Sequence, residues 1–151
     1  AGPCGNVCKY RLITAAPDPF NSPGRQGGGA KANTPEAIFD ALKARGCYAF
    51  MGGRVSVDFR INGHWMGEVF ASAPDADRTV WFNVSADAPV KKVTVVKNCR
   101  DYLIFKRESA LFFDYRREQA EDCYYLRIEL EGGRYAWTSP VWIKTPDDTE
   151  Q

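Results

Sequence analysis

Apolar and polar residues alternate with a period of two over much of the chain beyond residue 47. In the clearest stretch, Val55, Val57, Phe59 and Ile61 alternate with polar residues, and Asn62-Gly63 follows as a strong hairpin signal. Comparable runs recur at intervals of about ten residues, a spacing typical of sandwich domains. Because this period places every second side chain on one face, it restricts the chain to half-buried strands. We predict a mainly β protein, an immunoglobulin-like antiparallel β-sandwich of seven to eight strands.

Two stretches before the alternating region have a different character. Residues 1–33 are rich in Gly, Pro and Ala and carry one short apolar run, so they predict an extended segment with a flexible glycine-rich connector. Residues 34–46 predict one α-helix, with Thr34 as the N-cap, Pro35 at the first helical position and Gly46 at the C-cap. We therefore divide the chain into an extended N-terminal segment (1–33), a helix (34–46), a β-sandwich domain (47–145) and a flexible acidic tail (146–151).

The charge balance excludes some classes of partner. Lys and Arg together number 20 against 19 Asp and Glu, which gives no overall field that would draw the chain to nucleic acid or an anionic membrane. No run approaches the roughly 18 apolar residues of a membrane span, and the first residues lack the regions of a signal peptide. We expect no nucleic-acid partner, no transmembrane segment and no cofactor.

The cysteine count is odd, so at least one thiol is not paired within the chain. Cys4 and Cys8 are separated by three residues rather than the two of a CxxC motif, and the single histidine, His64, leaves little to complete a zinc site. Two alternatives stay open for the five positions, disulfide partners or reduced thiols. The five cysteines are Cys4, Cys8, Cys47, Cys99 and Cys123.

No catalytic residue is predicted from the motifs. His64 follows a hairpin turn without an evident partner for proton transfer, and no serine lies in a GxSxG elbow. The carboxylates at 75, 77, 118, 121 and 122 lie in polar segments and are expected to be solvated. The aromatic residues allow two interpretations, core and cross-strand packing or a sugar-binding platform. These residues are Trp65, Trp81, Trp137, Trp142, Tyr124, Tyr125 and Tyr135.

The run TPEAIFDALKARGCYAFMGGRVSVDFRINGHWMG, residues 34–67, resembles the C-terminal part of a bacterial family catalogued as a domain of unknown function. Residues 88–98 resemble the next strand of that family, and residues 124–128 with 136–143 resemble its closing hairpin. Members are typically exported and look like metal-dependent phosphoesterases of the polymerase-and-histidinol-phosphatase (PHP) type. The resemblance implies a periplasmic or extracellular location.

In that family a catalytic barrel precedes this region, and its last metal-ligand motif is similar to Ser-Asp-x-His-Asn followed by Pro-Gly. Here Asp18, Asn21 and Pro23-Gly24 match the motif, whereas Phe20 stands at the position of the histidine. Phenylalanine has no lone pair to offer a metal. The resemblance therefore implies that residues 1–33 are a remnant of a PHP-like barrel, with Asp18 as the one metal-ligand candidate.

Three hypotheses for the function follow. The first is a non-catalytic accessory or structural subunit that packs against partner proteins in a larger extracytoplasmic assembly. The alternatives are a fragment or subunit of a metal-dependent phosphoesterase-like hydrolase, with Asp18 as a ligand, and a carbohydrate-binding module. Under the first hypothesis the partner-binding candidates are apolar residues of the barrel remnant and the helix, namely Tyr10, Leu12, Phe20, Ile38, Phe39 and Leu42.

Overall fold

The computed structural model of this 151-residue chain describes residues 26–28, 36, 40, 43, 45–50 and 54–146. Twelve strands in this part of the chain form two sheets. The strands are β1 (Gln26–Gly28), β2 (Cys47–Phe50), β3 (Val55–Ile61), β4 (His64–Trp65), β5 (Val69–Ala71), β6 (Arg78–Ala86), β7 (Val90–Lys97), β8 (Arg100–Phe105), β9 (Ser109–Asp114), β10 (Glu121–Leu130), β11 (Arg134–Thr138) and β12 (Val141–Lys144).

The larger sheet has eight strands, and β10 is its centre. One edge of β10 pairs first with β12 and then with β11, and the other edge pairs with β7, which in turn pairs with β8. Strand β2 joins β11, β1 joins β2, and β5 joins β12 as a parallel pair. The smaller sheet has four strands in the order β4-β3-β6-β9.

The inner faces of the two sheets share one core. Phe59, Ile61, Val80 and Phe82 of the small sheet cluster with Leu126 and Ile128 of the large one, all fully buried. Strands β3 and β6 contribute every second residue to it, as the period of two predicts, whereas Val93–Lys97 of β7 are buried consecutively. The predicted immunoglobulin-like β-sandwich is therefore confirmed, but the described residues form twelve strands rather than the seven to eight predicted, because five of them are short pieces of two to four residues. The parallel pair of β5 and β12 departs from the all-antiparallel prediction.

The predicted hairpin turn at Asn62-Gly63 is confirmed. Both residues have positive φ, 50° and 80°, as a two-residue turn of the type I′ class requires. The turn joins β3 to β4, with Ile61 paired to His64. The Asn62 side chain also accepts a hydrogen bond of 2.7 Å from the Thr79 amide, which ties the turn to β6.

Two predicted segments differ from the structure. The glycine-rich connector contributes strand β1, in which Gln26 pairs with Ala49, because residues without side chains fit against a neighbouring strand as well as in a loop. The sequence from Tyr135 to Lys144 predicts one last strand with an edge or bulge at Pro140, and the structure divides it into β11 and β12 at Ser139-Pro140, since proline cannot donate to a ladder. Glu36, Asp40 and Lys43 are helical, in agreement with the predicted helix, and its other residues lie outside the described part of the chain.

Candidate interaction surface

Most of the site residues predicted from the sequence lie outside the described residues. This holds for the metal-ligand candidate Asp18, for Cys4 and Cys8, and for the partner-binding candidates Tyr10, Leu12, Phe20, Ile38, Phe39 and Leu42. The predictions made for them stay predictions.

The other candidates for chemistry are dispersed. Cys47 is half-buried with its Sγ 3.6 Å from the Ser139 hydroxyl oxygen, Cys99 is exposed, and Cys123 is buried. His64 stacks on Phe70 with ring centroids 3.9 Å apart on the surface. Over residues 54–146 and the shorter described stretches, no three His, Cys, Asp or Glu side chains are grouped to hold a metal ion. The same residues contain no helix long and apolar enough to cross a membrane.

The four tryptophans do not form one platform. Trp65 packs against the core, and Trp81 lies on the outer face of the small sheet between buried Val80 and Phe82. Trp137 and Trp142 share the outer face of the large sheet.

Among the described residues, the outer face of the large sheet brings together three of the aromatic side chains that the sequence suggests for a sugar platform. Trp137 and Trp142 lie opposite Arg127 and Cys123, which are four residues apart on β10 and so point to the same face. Tyr135 stacks on Trp137 with centroids 5.8 Å apart. Tyr124 points the other way and is fully buried, so its place in the predicted platform is wrong.

A buried network of charges closes one end of the sandwich. Arg78, the first residue of β6, donates 2.6 Å to Asp122 and 2.9 Å to the hydroxyl of Tyr124. Asp122 is fully buried, so the expectation that this carboxylate would be solvated is wrong. It also accepts from the Asn98 side chain at 2.8 Å and from the amides of Glu118 and Gln119. These bonds replace the water that the buried carboxylate has lost.

A second ion pair continues the network to β9. Lys97, the last residue of β7, donates 2.8 Å to Asp114, and both side chains are at most 2% exposed. Tyr124 links the two pairs, since its hydroxyl donates 2.6 Å to Asp114 while accepting from Arg78. Asp114 accepts further bonds of 3.0 Å from the Tyr102 hydroxyl and the Arg116 amide. The Lys97 ammonium also donates to the Arg116 carbonyl.

The network favours the charged form of both carboxylates. Burial alone would raise the pKa of Asp114, but hydrogen bonds from Lys97 and Tyr124 outweigh it and leave that pKa below its usual value. The same holds for Asp122. Burial raises its pKa, but hydrogen bonds from Asn98 and Arg78 lower that pKa by more, so it lies below its usual value. Burial and the bond to Asp114 raise the pKa of Tyr124, which stays a neutral donor.

Strands β8 and β9 form an exposed apolar side of the sandwich. Residues 106–108 join the two strands directly, and Phe105 stacks on Phe112 with centroids 5.3 Å apart, which fixes the strands side by side. Each is the last strand of its sheet among those described. Five apolar or aromatic side chains here are 38–70% exposed, and we call them the edge surface. They are Leu103, Ile104, Leu111, Phe113 and Tyr115.

The buried network anchors the edge surface from beneath. Asp114 is the last residue of β9, and its bond with Tyr102 ties that strand to β8. Lys97 and Asp114 hold the backbone of Arg116, so the chain leaves β9 in a fixed direction. Four of the five exposed side chains consequently stand on strands, and Tyr115 follows directly after β9, which suits a preformed binding surface.

No family model matches the chain. It is similar to uncharacterized proteins of Chlamydia. In Chlamydia trachomatis serovar D the identity is 27% over 128 residues, covering 72% of this chain and 20% of that protein. In Chlamydia pneumoniae it is 25% over 153 residues, covering 89% of this chain and 25% of that protein. The chain thus spans between a fifth and a quarter of the length of these relatives.

One solved structure is similar to the chain, that of fibronectin(III)-like modules of CbhA from Clostridium thermocellum. The similarity has a TM-score of 0.45 and 18% sequence identity, and it covers 61% of this chain and 99% of that chain.

Proposed function

We propose that this chain is a non-catalytic β-sandwich module that binds a protein partner through its edge surface. One observation carries the proposal. Seven large apolar side chains are exposed among the described residues, and five of them lie between residues 103 and 115. Leu111, Phe113 and Tyr115 follow one another on the outer side of β9 and its continuation, with Phe113 stacked on Tyr115 at 6.4 Å. Single exposed apolar residues are common, but neighbouring ones of this kind mark a protein interface.

The rest of the proposal concerns the setting of the module. The Chlamydia proteins are four to five times as long as the region they share with this chain, which supports a role as one accessory unit of a larger assembly. The resemblance to an exported family supports a periplasmic or extracellular location. The dispersal of His64 and the described cysteines supports a binding role rather than catalysis.

Amide hydrogen exchange tests the proposal on the isolated chain and on the native assembly that contains it. We expect residues 103–115 to become protected in the assembly, while the outer face around Trp137 keeps its exchange rates. A variant with Leu111→Lys and Phe113→Lys is expected to lose the partner while its thermal unfolding midpoint stays near that of the wild type, because both side chains are exposed. Unchanged exchange at 103–115, or a partner retained by this variant, would refute the proposal.

Carbohydrate binding is the second candidate. It is favoured by the stacked pair of Tyr135 and Trp137, with Trp142 on the same outer face. Trp137 is exposed while Tyr135 and Trp142 are half-buried, and flat aromatic rings at a surface suit contact with the apolar faces of sugars. Titration with soluble polysaccharides is expected to change the tryptophan fluorescence of the wild type and of Trp81→Phe, but less that of Trp137→Ala. If no polysaccharide alters the fluorescence of the wild type, this candidate is rejected.

A further inference from the structure

We propose that the partner of the edge surface is a second copy of this chain, which pairs antiparallel with β9 about a two-fold axis at Phe112. The inference rests on the proposed function and names its partner. Each small sheet has four strands with β9 at one edge, so the pairing would join two copies into one continuous sheet. An interface with two-fold symmetry is self-complementary, and the features of β9 meet that condition.

The backbone of β9 has one hydrogen-bonding edge toward β6 and one toward solvent. The Val84 amide donates 2.8 Å to the Glu108 carbonyl, and Phe82 pairs with Ala110 two residues further on. Because paired groups alternate in an antiparallel ladder, Ala110 and Phe112 direct their backbone groups toward β6. Ser109, Leu111 and Phe113 therefore direct theirs toward the open edge, where no described strand pairs with them.

The edge of β9 lacks the devices that usually prevent pairing. Proteins block open edges with charged residues, prolines or bulges. Strand β8 has two of these, the charges of Arg100 and Asp101 and a register shift against β7 near Val95. Strand β9 has neither proline nor lysine, and Leu111 and Phe113 are 58% and 52% exposed. Of the two neighbouring edges, β9 is the one open to another strand.

An axis at Phe112 gives a register in which apolar residues meet. Leu111 lies opposite Phe113 of the second copy, and the two-fold axis repeats the pair. Both residues direct their backbone groups outward, so each such pair exchanges two hydrogen bonds. The half-buried Phe112 meets its own counterpart on the inner face. Apolar cross-strand pairs of this kind stabilise antiparallel sheets.

The same register brings opposite charges together at the ends of the strand. Glu108 and Arg116 flank β9 on either side, and this axis brings Glu108 toward Arg116 of the second copy, with both side chains exposed. An axis one residue away in either direction would place Glu108 against Asp114 or Glu118 instead. Arg107 approaches Arg117 of the second copy one residue further out, where solvent screens the repulsion. Arg117 also donates to the Gln119 carbonyl, away from the strand. The charges therefore select the axis at Phe112.

Sedimentation velocity over a micromolar concentration series tests the pairing. We expect the wild-type chain to be a reversible dimer and Leu111→Lys to be a monomer with an unchanged circular dichroism spectrum. Trp137→Lys is the matched control, since it introduces the same charge at an exposed position of the other sheet and is expected to leave the dimer intact. A wild-type chain that stays monomeric throughout the series overturns the inference.

Charge reversal tests the register. Glu108→Arg and Arg116→Glu each turn two symmetry-related attractions into repulsions, so each is expected to weaken the dimer about tenfold. The double variant restores both pairs and is expected to return to within about threefold of the wild type. Single variants without effect, or a double variant that stays weak, overturn this register. A monomeric chain whose edge surface still becomes protected in the native assembly would overturn the second copy as partner while leaving the proposed function in place.

Discussion

The buried pair of Lys97 and Asp114 provides the sharpest test of how the fold is stabilised. The two groups lie 2.8 Å apart, with side-chain exposures of 1% and 2%. Asp114→Asn removes the negative charge but keeps an amide oxygen that accepts from Tyr124 or Tyr102. The Lys97 ammonium then stays buried without its counter-charge, and 4.9 Å from the ring of Tyr102 it gains only a weak attraction.

The expected loss follows from the cost of an uncompensated buried charge. Removing one partner of a buried ion pair costs about 3–5 kcal/mol, whereas removing both costs much less because no charge is left unpaired. Lys97→Met keeps most of the lysine stem and removes its charge. We therefore expect each single variant to lose about 3–5 kcal/mol, and the double variant to lose less than either single variant because it leaves no unpaired buried charge.

Urea unfolding followed by tryptophan fluorescence measures the four free energies of the cycle. The exposed pair of Arg127 and Asp101, also 2.8 Å long, is the matched control. Asp101→Asn there should lose at most about 1 kcal/mol, because water and salt screen the pair. If Asp114→Asn costs no more than Asp101→Asn, or if the two losses at the buried pair simply add, the reasoning about buried charge is wrong.

Three further predictions concern the same fold. The pKa values of Asp114 and Asp122 are lower in the folded than in the unfolded chain. The stability that they contribute is therefore present above about pH 4 and is lost as the pH falls through their pKa values in the folded chain. The urea midpoint should drop as the pH is lowered, and it should drop less in Asp114→Asn. Phe82→Ala should lose about 3–5 kcal/mol in urea unfolding through the cavity it leaves, and an equal loss from the exposed Phe113→Ala would contradict that. Gly63→Ala should lose about 1–2 kcal/mol from the positive φ alone, because the added Cβ meets nothing within 4 Å, so a neutral result would contradict the strain.

Much of the sandwich could be predicted from the period of two. The core residues Val55, Val57, Phe59 and Ile61 alternate strictly, and the structure buries all four. The glycine-rich strand β1 could not be predicted in this way, since Gln26–Gly28 has no apolar side chain to show a period. Its pairing with Cys47–Phe50 is made by the backbone, which every sequence possesses.

The charged network could have been found from the same period. Arg78 is in phase with the buried Val80 and Phe82, and Lys97 is in phase with Val93 and Val95. Each of these charged residues lies at a strand end, two positions away from the nearest of those inward-facing apolar residues. Charged residues at strand ends are usually solvated, so the residue types alone predict that these side chains lie in water rather than in the interior. The decisive information was the antiparallel arrangement, which brings these strand ends together.

The network and the edge surface are coupled by geometry, and this coupling can be measured. Asp114 ends β9 inside the network, while the exposed Leu111 and Phe113 lie on the other face of that strand. A buried ion pair is weak evidence for stability in itself, since apolar residues of similar volume often stabilise as well. Its bonds to Tyr102 and to the backbone of Arg116 do something apolar residues cannot, because they fix where both edge strands end.

We therefore expect Asp114→Asn, studied where it is still folded, to weaken self-association as well as stability. Phe50→Ala, which destabilises the core at β2, a strand that pairs with β1 and β11 and not with the edge strands, should leave the dimer dissociation constant near that of the wild type. Equal weakening by both variants would mean that the edge responds to global stability alone.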